Sequence, residues 1–140
     1  MLFVLAVLCL AVFGIQGAED KLPSYLRDTF EEINQQYNGN LKWNECLANK
    51  ALEEAVNPQS VLAYLKIRGT KKFSKKDCST NADKVRAAFK NPFDRMGNRV
   101  IRLPEGTIYG CNGVVDTDAA NLIFTVACVY NNTKLRTVRA

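Results

Sequence analysis

Apolar side chains in the first half of the chain recur at the spacing expected of amphipathic helices. A first helix is predicted by residues at steps of three or four: Leu22, Leu26, Phe30, Ile33 and Tyr37. The segment Asn38-Gly39-Asn40 ends this helix, because glycine and asparagine favour turns. Asn44 is a candidate N-cap for a second helix, which presents a stripe of alanine and leucine and ends at Asn57-Pro58.

The middle of the chain predicts two further helices with a basic loop between them. Ser60 can cap a short third helix that closes at Gly69, and the residues from Gly69 to Ser79 then form the loop. A fourth helix begins near Thr80 and ends at Asn91-Pro92, because proline disrupts the interior of a helix. The first two-thirds of the chain are therefore predicted to be mainly helical.

The last third of the chain contains three predicted strands. They cover Arg99 to Leu103, Thr107 to Cys111 and Leu122 to Tyr130, with a turn at Pro104-Glu105-Gly106. The last of these is almost wholly apolar, which is typical of a strand that is covered on both faces. The preceding helices can supply both covering layers, so the pattern predicts an α+β layered sandwich.

The N-terminus has the pattern of a secretory signal peptide. Met1 to Phe13 is an uninterrupted apolar run, and the small residues around Gly17 resemble a signal-peptidase site. We predict a signal peptide over residues 1–17 and a single domain over residues 18–140, with cleavage after Ala18 as the alternative. The run is too short to span a bilayer comfortably, so we expect a secreted protein without a transmembrane segment. A buried N-terminal helix is the other interpretation.

The cysteines that remain after cleavage predict two disulfides, since an even count is typical of a small secreted domain. Three connectivities are possible. The adjacent predicted strands favour a Cys111–Cys128 disulfide, which leaves Cys46–Cys78 by elimination. No pair has the spacing of a zinc site and the chain contains no histidine, so we predict neither a bound metal nor a cofactor.

The absence of histidine also excludes the commonest catalytic arrangements. Histidine-activated serine or cysteine nucleophiles need that side chain. Three carboxylate pairs remain: Glu31 with Glu32, Glu53 with Glu54, and Asp116 with Asp118. Adjacent residues on a helix point in different directions, so the glutamate pairs are poor catalytic dyads. We predict that the protein is not an enzyme, with a carboxylate-based hydrolase as the alternative.

A basic cluster is the strongest candidate for a binding site in this chain, whose net charge is +5. Six cations lie within eleven residues without an intervening acid: Lys66, Arg68, Lys71, Lys72, Lys75 and Lys76. Such a cluster can attract a sulfated glycan or an anionic lipid, with Phe73 as an apolar contact. The alternative is a solvated loop whose charges only maintain solubility. No motif for nucleic acid is present, and such a partner conflicts with secretion.

Two further residues have candidate roles. Trp43, the single tryptophan, is interpreted as a core anchor ahead of the second helix, with a ligand-stacking platform as the alternative. Asn131-Asn132-Thr133 is the single N-glycosylation sequon and follows the last predicted strand. We therefore predict glycosylation at Asn131.

Three segments follow one another along the chain: residues 40–51, Ile108-Tyr109-Gly110-Cys111 and residues 126–131, with Asn34 upstream of them. Together they resemble the CAP superfamily of cysteine-rich secretory proteins, antigen 5 and pathogenesis-related 1 proteins. The resemblance implies a three-layer α-β-α sandwich with a small, mainly antiparallel sheet. The family's tetrad of histidines and acids is missing, and Pro92 or a neighbour stands where a histidine is expected. No metal site is therefore carried over.

The sequence as a whole predicts a secreted, non-catalytic, CAP-like protein that acts by binding. The resemblance implies a lipid or sterol, a glycan or a protein as partner, and a role in defence or host interaction. A basic glycan- or membrane-binding defence protein that acts through Lys66 to Lys76 is the alternative.

Overall fold

The computed structural model of the chain describes residues 19–135. The elements in chain order are β1 (Glu19–Lys21), a 3₁₀ helix (Ser24–Leu26), α1 (Arg27–Gln35), β2 (Lys42–Trp43), α2 (Glu45–Val56), β3 (Leu65–Ser74), α3 (Asn81–Ile101), β4 (Ile108–Thr117) and β5 (Asn121–Asn131). This is an α+β fold, as predicted. The predicted signal peptide over residues 1–17 lies outside the described residues.

The strands form one mainly antiparallel sheet in the order β1, β4, β5, β3. β5 is central and pairs with β3 on one side and with β4 on the other, over almost its whole length. The short β2 pairs in parallel with the start of β4, and β1 pairs with its end. β3 is consequently an edge strand of this sheet, and no other strand within residues 19–135 pairs with its outer side.

Helices cover both faces of this sheet. On one face, Phe124, Val126 and Tyr130 of β5 belong to the main core together with side chains of α1 and α3. On the other face, Ala127 and Val129 form a smaller core with alanines of α2. The predicted three-layer α-β-α sandwich is confirmed, and residues 122–130 of β5 are apolar apart from Thr125, as expected of a strand covered on both faces.

The Cys111–Cys128 disulfide joins β4 to β5 between residues that lie directly opposite one another, as predicted. The predicted Cys46–Cys78 disulfide is wrong, because both of these cysteines are exposed and free. Cys46 lies at the start of α2, whereas Cys78 immediately precedes α3, and the two helices cover opposite faces of the sheet. A disulfide needs Cα atoms within about 7 Å of one another, which this layering does not allow.

α3 is a single helix of 21 residues that contains Pro92 in its interior. The predicted helix end at Pro92 and the predicted strand from Arg99 to Leu103 are therefore wrong. Proline removes the hydrogen bond to the carbonyl four residues earlier, here that of Ala88. The Ala88 carbonyl lies instead against Gly69 of β3, where no side chain intervenes. Beyond the proline, the helix continues because residues such as Val100 are fully buried against the core.

The predicted short helix before Gly69 is also wrong, because residues 65–74 form strand β3. The predicted basic loop is consequently shorter, since only residues 75–79 of its span lie outside a helix or strand. Leu65, Ile67 and Phe73 are buried in the main core, and they alternate with Lys66 and Arg68. This alternation is the period of a strand. Pairing with β5 along ten residues stabilises the strand despite its high content of lysine.

The N-terminal part of the described chain also differs from the sequence prediction. α1 begins at Arg27 rather than near Leu22, which is buried but lies ahead of the helix. Strands β1 and β2 are not predicted by the sequence patterns, because two or three residues carry too little periodicity to be recognised.

Candidate functional site

The six residues of the predicted anion-binding cluster do not lie together in one loop, and two of them are occupied within the fold. Lys66 Nζ lies 3.1 Å from the carboxylate of Glu54 and donates a 2.8 Å hydrogen bond to the carbonyl of Val61. Arg68 donates to the carbonyl oxygens of Glu54 and Ala55 at the end of α2, where a cation stabilises the helix dipole. Neither side chain is free to bind an external anion.

Glu54 organises the connection between α2 and β3. Its buried carboxylate accepts hydrogen bonds from the backbone N–H groups of Gln59 and Val61, at 2.9 and 3.3 Å, and from Lys66. Burial alone raises the pKa of Glu54, but the bonds from Gln59, Lys66 and Val61 outweigh burial and lower this pKa below its ordinary value. Glu54 is thus an ionised carboxylate whose role is to hold the connection between α2 and β3.

The other four basic residues form the candidate binding site, here called the lysine surface: Lys71, Lys72, Lys75 and Lys76. All four are exposed, and none forms an ion pair with a carboxylate among residues 19–135. Lys71 lies on the face of the sheet that α3 covers. Because side chains alternate along a strand, Lys72 lies on the opposite face. The lysine surface therefore wraps around the end of the edge strand.

Phe73 does not supply the exposed apolar contact that the sequence suggests. Its side chain is buried and packs edge-on against Phe124, with ring centroids 5.5 Å apart. The ammonium groups of Lys71 and Lys84 lie 6.0 and 5.8 Å from the Phe73 ring centroid. Lys84 is itself buried, so of these two cations Lys71 is the one that reaches solvent.

A polar notch borders the lysine surface where α3 passes the outer edge of β3. It has a volume of about 220 Å³ and is lined by residues 68–71 of β3 and by α3 residues that include Asn91, Pro92 and Arg95. Arg95 is exposed, and no ion pair joins it to a carboxylate in the described part of the chain. The notch thus adds a guanidinium to the ammonium of Lys71.

The disulfide lies in a closed polar arrangement around Asn34. The Asn34 amide donates to the carbonyl of Phe30 at 2.9 Å and lies 3.4 and 3.6 Å from the sulfur atoms of Cys111 and Cys128. Its oxygen accepts a hydrogen bond from the hydroxyl of Tyr130. Burial raises the pKa of Tyr130 well above its ordinary value, so the hydroxyl remains protonated. Each polar group in this arrangement has a hydrogen-bond partner. The role of Asn34 and Tyr130 is therefore structural.

Trp43 has features of both roles considered from the sequence. It packs edge-on against the buried Tyr109, with ring centroids 5.4 Å apart. Its outer part lines a cleft of about 290 Å³, where the Arg27 guanidinium lies 5.0 Å from the ring centroid and Nε1 donates to Glu45 at 2.9 Å. These local partners occupy the exposed side of the indole.

Five of the six carboxylates considered for a hydrolase have local partners, Asp116 being the exception among residues 19–135, and the partners of Glu54 are described above. Three pair with cations: Glu31 with Arg27 at 2.8 Å, Glu32 with Arg86 at 3.1 Å and Glu53 with Lys50 at 3.9 Å. Asp118 accepts backbone N–H groups in the turn between β4 and β5, and these bonds from Ala120 and Asn121 lower its pKa. Within residues 19–135, no group of three or more histidine, cysteine or acidic residues is arranged to hold a metal ion.

Two observations bear on lipid and membrane partners. The groove between α1 and α3 measures about 330 Å³, but Phe89 and Phe93 in its floor are almost fully buried and its rim carries Arg86, Lys90 and Asp94. Little apolar surface in this groove is therefore open to a lipid. None of the helices that the structure describes is long and apolar enough to cross a membrane.

Residues 29–132 match the protein family described as 15 kDa excretory/secretory protein. The chain belongs to this family. It is 41% identical over 146 residues to a 15 kDa excretory/secretory protein of Haemonchus contortus, an alignment that covers 94% of this chain and 98% of that protein. It is 38% identical over 112 residues to a 30 kDa antigenic glycoprotein of Trichostrongylus colubriformis, covering 80% and 82% of the two chains. No solved structure matches.

The interpretation as a CAP protein is therefore wrong, since the family that the chain matches over most of its length is a different one. The three segments that suggested CAP are β2 with the start of α2, the start of β4 and the end of β5. Short apolar strands with one cysteine each carry little family information. Membership in a family of excretory/secretory proteins agrees with the secretion predicted from the N-terminal segment.

Proposed function

We propose that this protein is a secreted, non-catalytic binding protein whose partner is anionic and is held by the lysine surface. The observation that carries the proposal is that Lys71, Lys72, Lys75 and Lys76 are exposed together at one end of β3 and face no described carboxylate within ion-pair distance. The family description and the names of the two relatives, which refer to excretion, secretion and antigenicity, support an extracellular site of action.

The chemistry of this surface favours attraction by charge over shape-specific recognition. Lysine ammonium groups are hydrated point charges on flexible stems, and they do not form the bidentate contacts of arginine. Their attraction for a polyanion extends over a screening length of about 8 Å at physiological ionic strength. We therefore expect affinity to depend strongly on salt.

The test is the binding of the chain without residues 1–17 to heparin, as a model polyanion, at salt concentrations from about 0.05 M to about 0.5 M. Replacing Lys71, Lys72, Lys75 and Lys76 by glutamine should weaken binding at low salt at least about tenfold and flatten its dependence on salt. Thermal stability should change little, because exposed charges contribute little to folding.

A matched control separates the lysine surface from net charge. Glutamine at Lys42, Lys50, Arg99 and Arg102 removes the same number of exposed positive charges from other parts of the surface. This variant should bind heparin nearly as well as the unaltered protein. Equal weakening in both variants would show that only net charge matters, and the proposal would be abandoned.

The second part of the proposal concerns Asn131, which we infer carries an N-linked glycan. Asn131 is the last residue of β5 and is half-buried, whereas the neighbouring Asn132 is buried and donates to Thr107. One relative is named a glycoprotein. Protein secreted from a eukaryotic cell should lose mass on treatment with an N-glycan amidase, and Asn131→Gln should abolish that loss. If the Asn131→Gln variant still lost the mass of a glycan on this treatment, the assignment would be contradicted.

A further inference from the structure

We propose that the anionic partner is an acidic polypeptide segment that pairs, as an additional extended strand, with the outer edge of β3. This inference rests on the proposed function of the lysine surface and names the class of partner. Three observations carry it: the free backbone groups of the edge, the notch beside them and the alternation of the lysines.

The backbone of β3 presents free hydrogen-bonding groups along its outer edge. Lys75 N–H donates to the carbonyl of Ala120, which continues the ladder with β5. Since backbone groups alternate in direction along a strand, residues at every second position before Lys75 also face β5. Arg68, Thr70 and Lys72 therefore point their N–H and C=O groups away from the sheet, and no backbone or side-chain partner among residues 19–135 bonds to these groups.

The notch gives an added strand room for its side chains. It opens beside residues 68–71 of this edge, and α3 contributes Asn91 and Arg95 to its wall. The backbone of α3 comes close to that of β3 at Gly69, beside the Ala88 carbonyl. A carboxylate on an added strand can therefore reach Arg95 and Lys71 from the same face.

The distribution of charge selects the partner. Lys71 and Lys72 project from opposite faces of the sheet, so a partner that neutralises both must present acids in two opposite directions. An extended peptide does this because its own side chains alternate. Lysines on an edge strand also oppose pairing with a second copy of the same edge through like-charge repulsion. The occupant is accordingly an acidic strand from a different chain, bound by strand addition.

The probe is a fluorescently labelled peptide of about ten residues, made of paired glutamates separated by threonines so that acids fall on both faces. Binding to the unaltered protein is measured by anisotropy. Two further peptides carry N-methyl groups on alternate amides, in the odd or in the even positions. Strand addition predicts that one of these peptides binds at least about tenfold more weakly and that the other binds like the parent, because only alternate amides donate to the edge.

Variants of Thr70 test the same edge from the side of the protein. Thr70→Pro removes an outward N–H without changing charge, which an edge strand tolerates at a position facing solvent. The matched control Thr70→Val keeps the N–H. We expect Thr70→Pro to weaken peptide binding at least about tenfold, Thr70→Val to retain it and both variants to bind heparin normally.

The outcomes separate the two proposals. Equal binding of both N-methylated peptides, or heparin binding without peptide binding, overturns strand addition and leaves the lysine surface as a site for glycans. If the variant with all four lysines replaced still binds both heparin and the peptide, the proposed function itself is overturned. The N-methylated peptides need no protein variant, so the test stands even if Thr70→Pro fails to fold.

Discussion

Gly69 of β3 lies directly against the carbonyl oxygen of Ala88 in α3. A Cβ atom at position 69 would lie 2.3 Å from that oxygen and 2.9 Å from Cγ of Pro92. Because residue 92 is a proline, the Ala88 carbonyl has no N–H donor within the helix. This carbonyl and the Pro92 ring occupy the space that a side chain at position 69 would need. This contact joins α3 to the edge strand and forms one wall of the polar notch.

Gly69→Ala should destabilise the protein by about 2 kcal/mol or more, because the new methyl group meets a backbone atom that cannot move alone. Urea unfolding followed by circular dichroism measures the change. Gly39→Ala is the matched control, since a Cβ there meets nothing within 4 Å, and it should change stability by less than about 0.5 kcal/mol. Equal stability of the two variants would contradict the close contact.

Asn34 and Tyr130 should prove energetically coupled. Asn34→Ala leaves the buried hydroxyl of Tyr130 without its acceptor and should cost about 2 kcal/mol or more. Tyr130→Phe removes that hydroxyl, so it should reduce the cost of the alanine substitution when the two are combined. A double-mutant cycle should give a coupling of about 1 kcal/mol, and strictly additive effects would show that the hydrogen bond contributes nothing.

Stability should fall in acid partly through Glu54. The pKa of this carboxyl is lowered in the folded state, so the stability it contributes is present above its ordinary value of 4.5 and is lost as the pH falls below that value. Glu54→Gln should therefore cost about 2 kcal/mol near pH 7 and much less near pH 3. Urea unfolding at both pH values measures this difference.

The neighbouring Glu53 provides the control for this titration. Glu53 is exposed, and its carboxylate lies 3.9 Å from an exposed lysine, Lys50. Glu53→Gln should change stability little at either pH. A cost for Glu54→Gln that is the same at both pH values would exclude a lowered pKa as its source.

Thiol labelling distinguishes the free cysteines from the disulfide. In the folded chain without residues 1–17, Cys46 and Cys78 should react with a maleimide without prior reduction, because both are exposed. Replacing both by serine should leave the melting temperature nearly unchanged. By contrast, loss of the Cys111–Cys128 disulfide, whose cysteines are 17 positions apart, should cost about 3 kcal/mol. Recovery of a peptide that joins Cys46 to Cys78 would contradict the structure.

The layered α+β architecture and the Cys111–Cys128 disulfide could be predicted from sequence patterns alone. Residues 122–130 are apolar apart from Thr125, which is typical of a strand covered on both faces. The second helix and its N-cap at Asn44 were likewise predictable, because the cap and the alanine stripe act within a few residues of one another. These features follow from local spacing.

The positions and contacts of Pro92, of Cys46 and Cys78 and of the basic cluster depend instead on the three-dimensional packing. From the sequence, Pro92 predicts the end of a helix. In the structure the helix continues past Pro92, and Gly69, which is distant in sequence, lies beside Ala88. The cysteine count suggests that Cys46 and Cys78 form a pair, but Cys46 lies in α2 and Cys78 lies just before α3, and these helices cover opposite faces of the sheet. Lys66 and Arg68 resemble the lysines that follow them, yet the end of α2 occupies both. Each outcome depends on contacts between distant segments, which local sequence patterns do not encode.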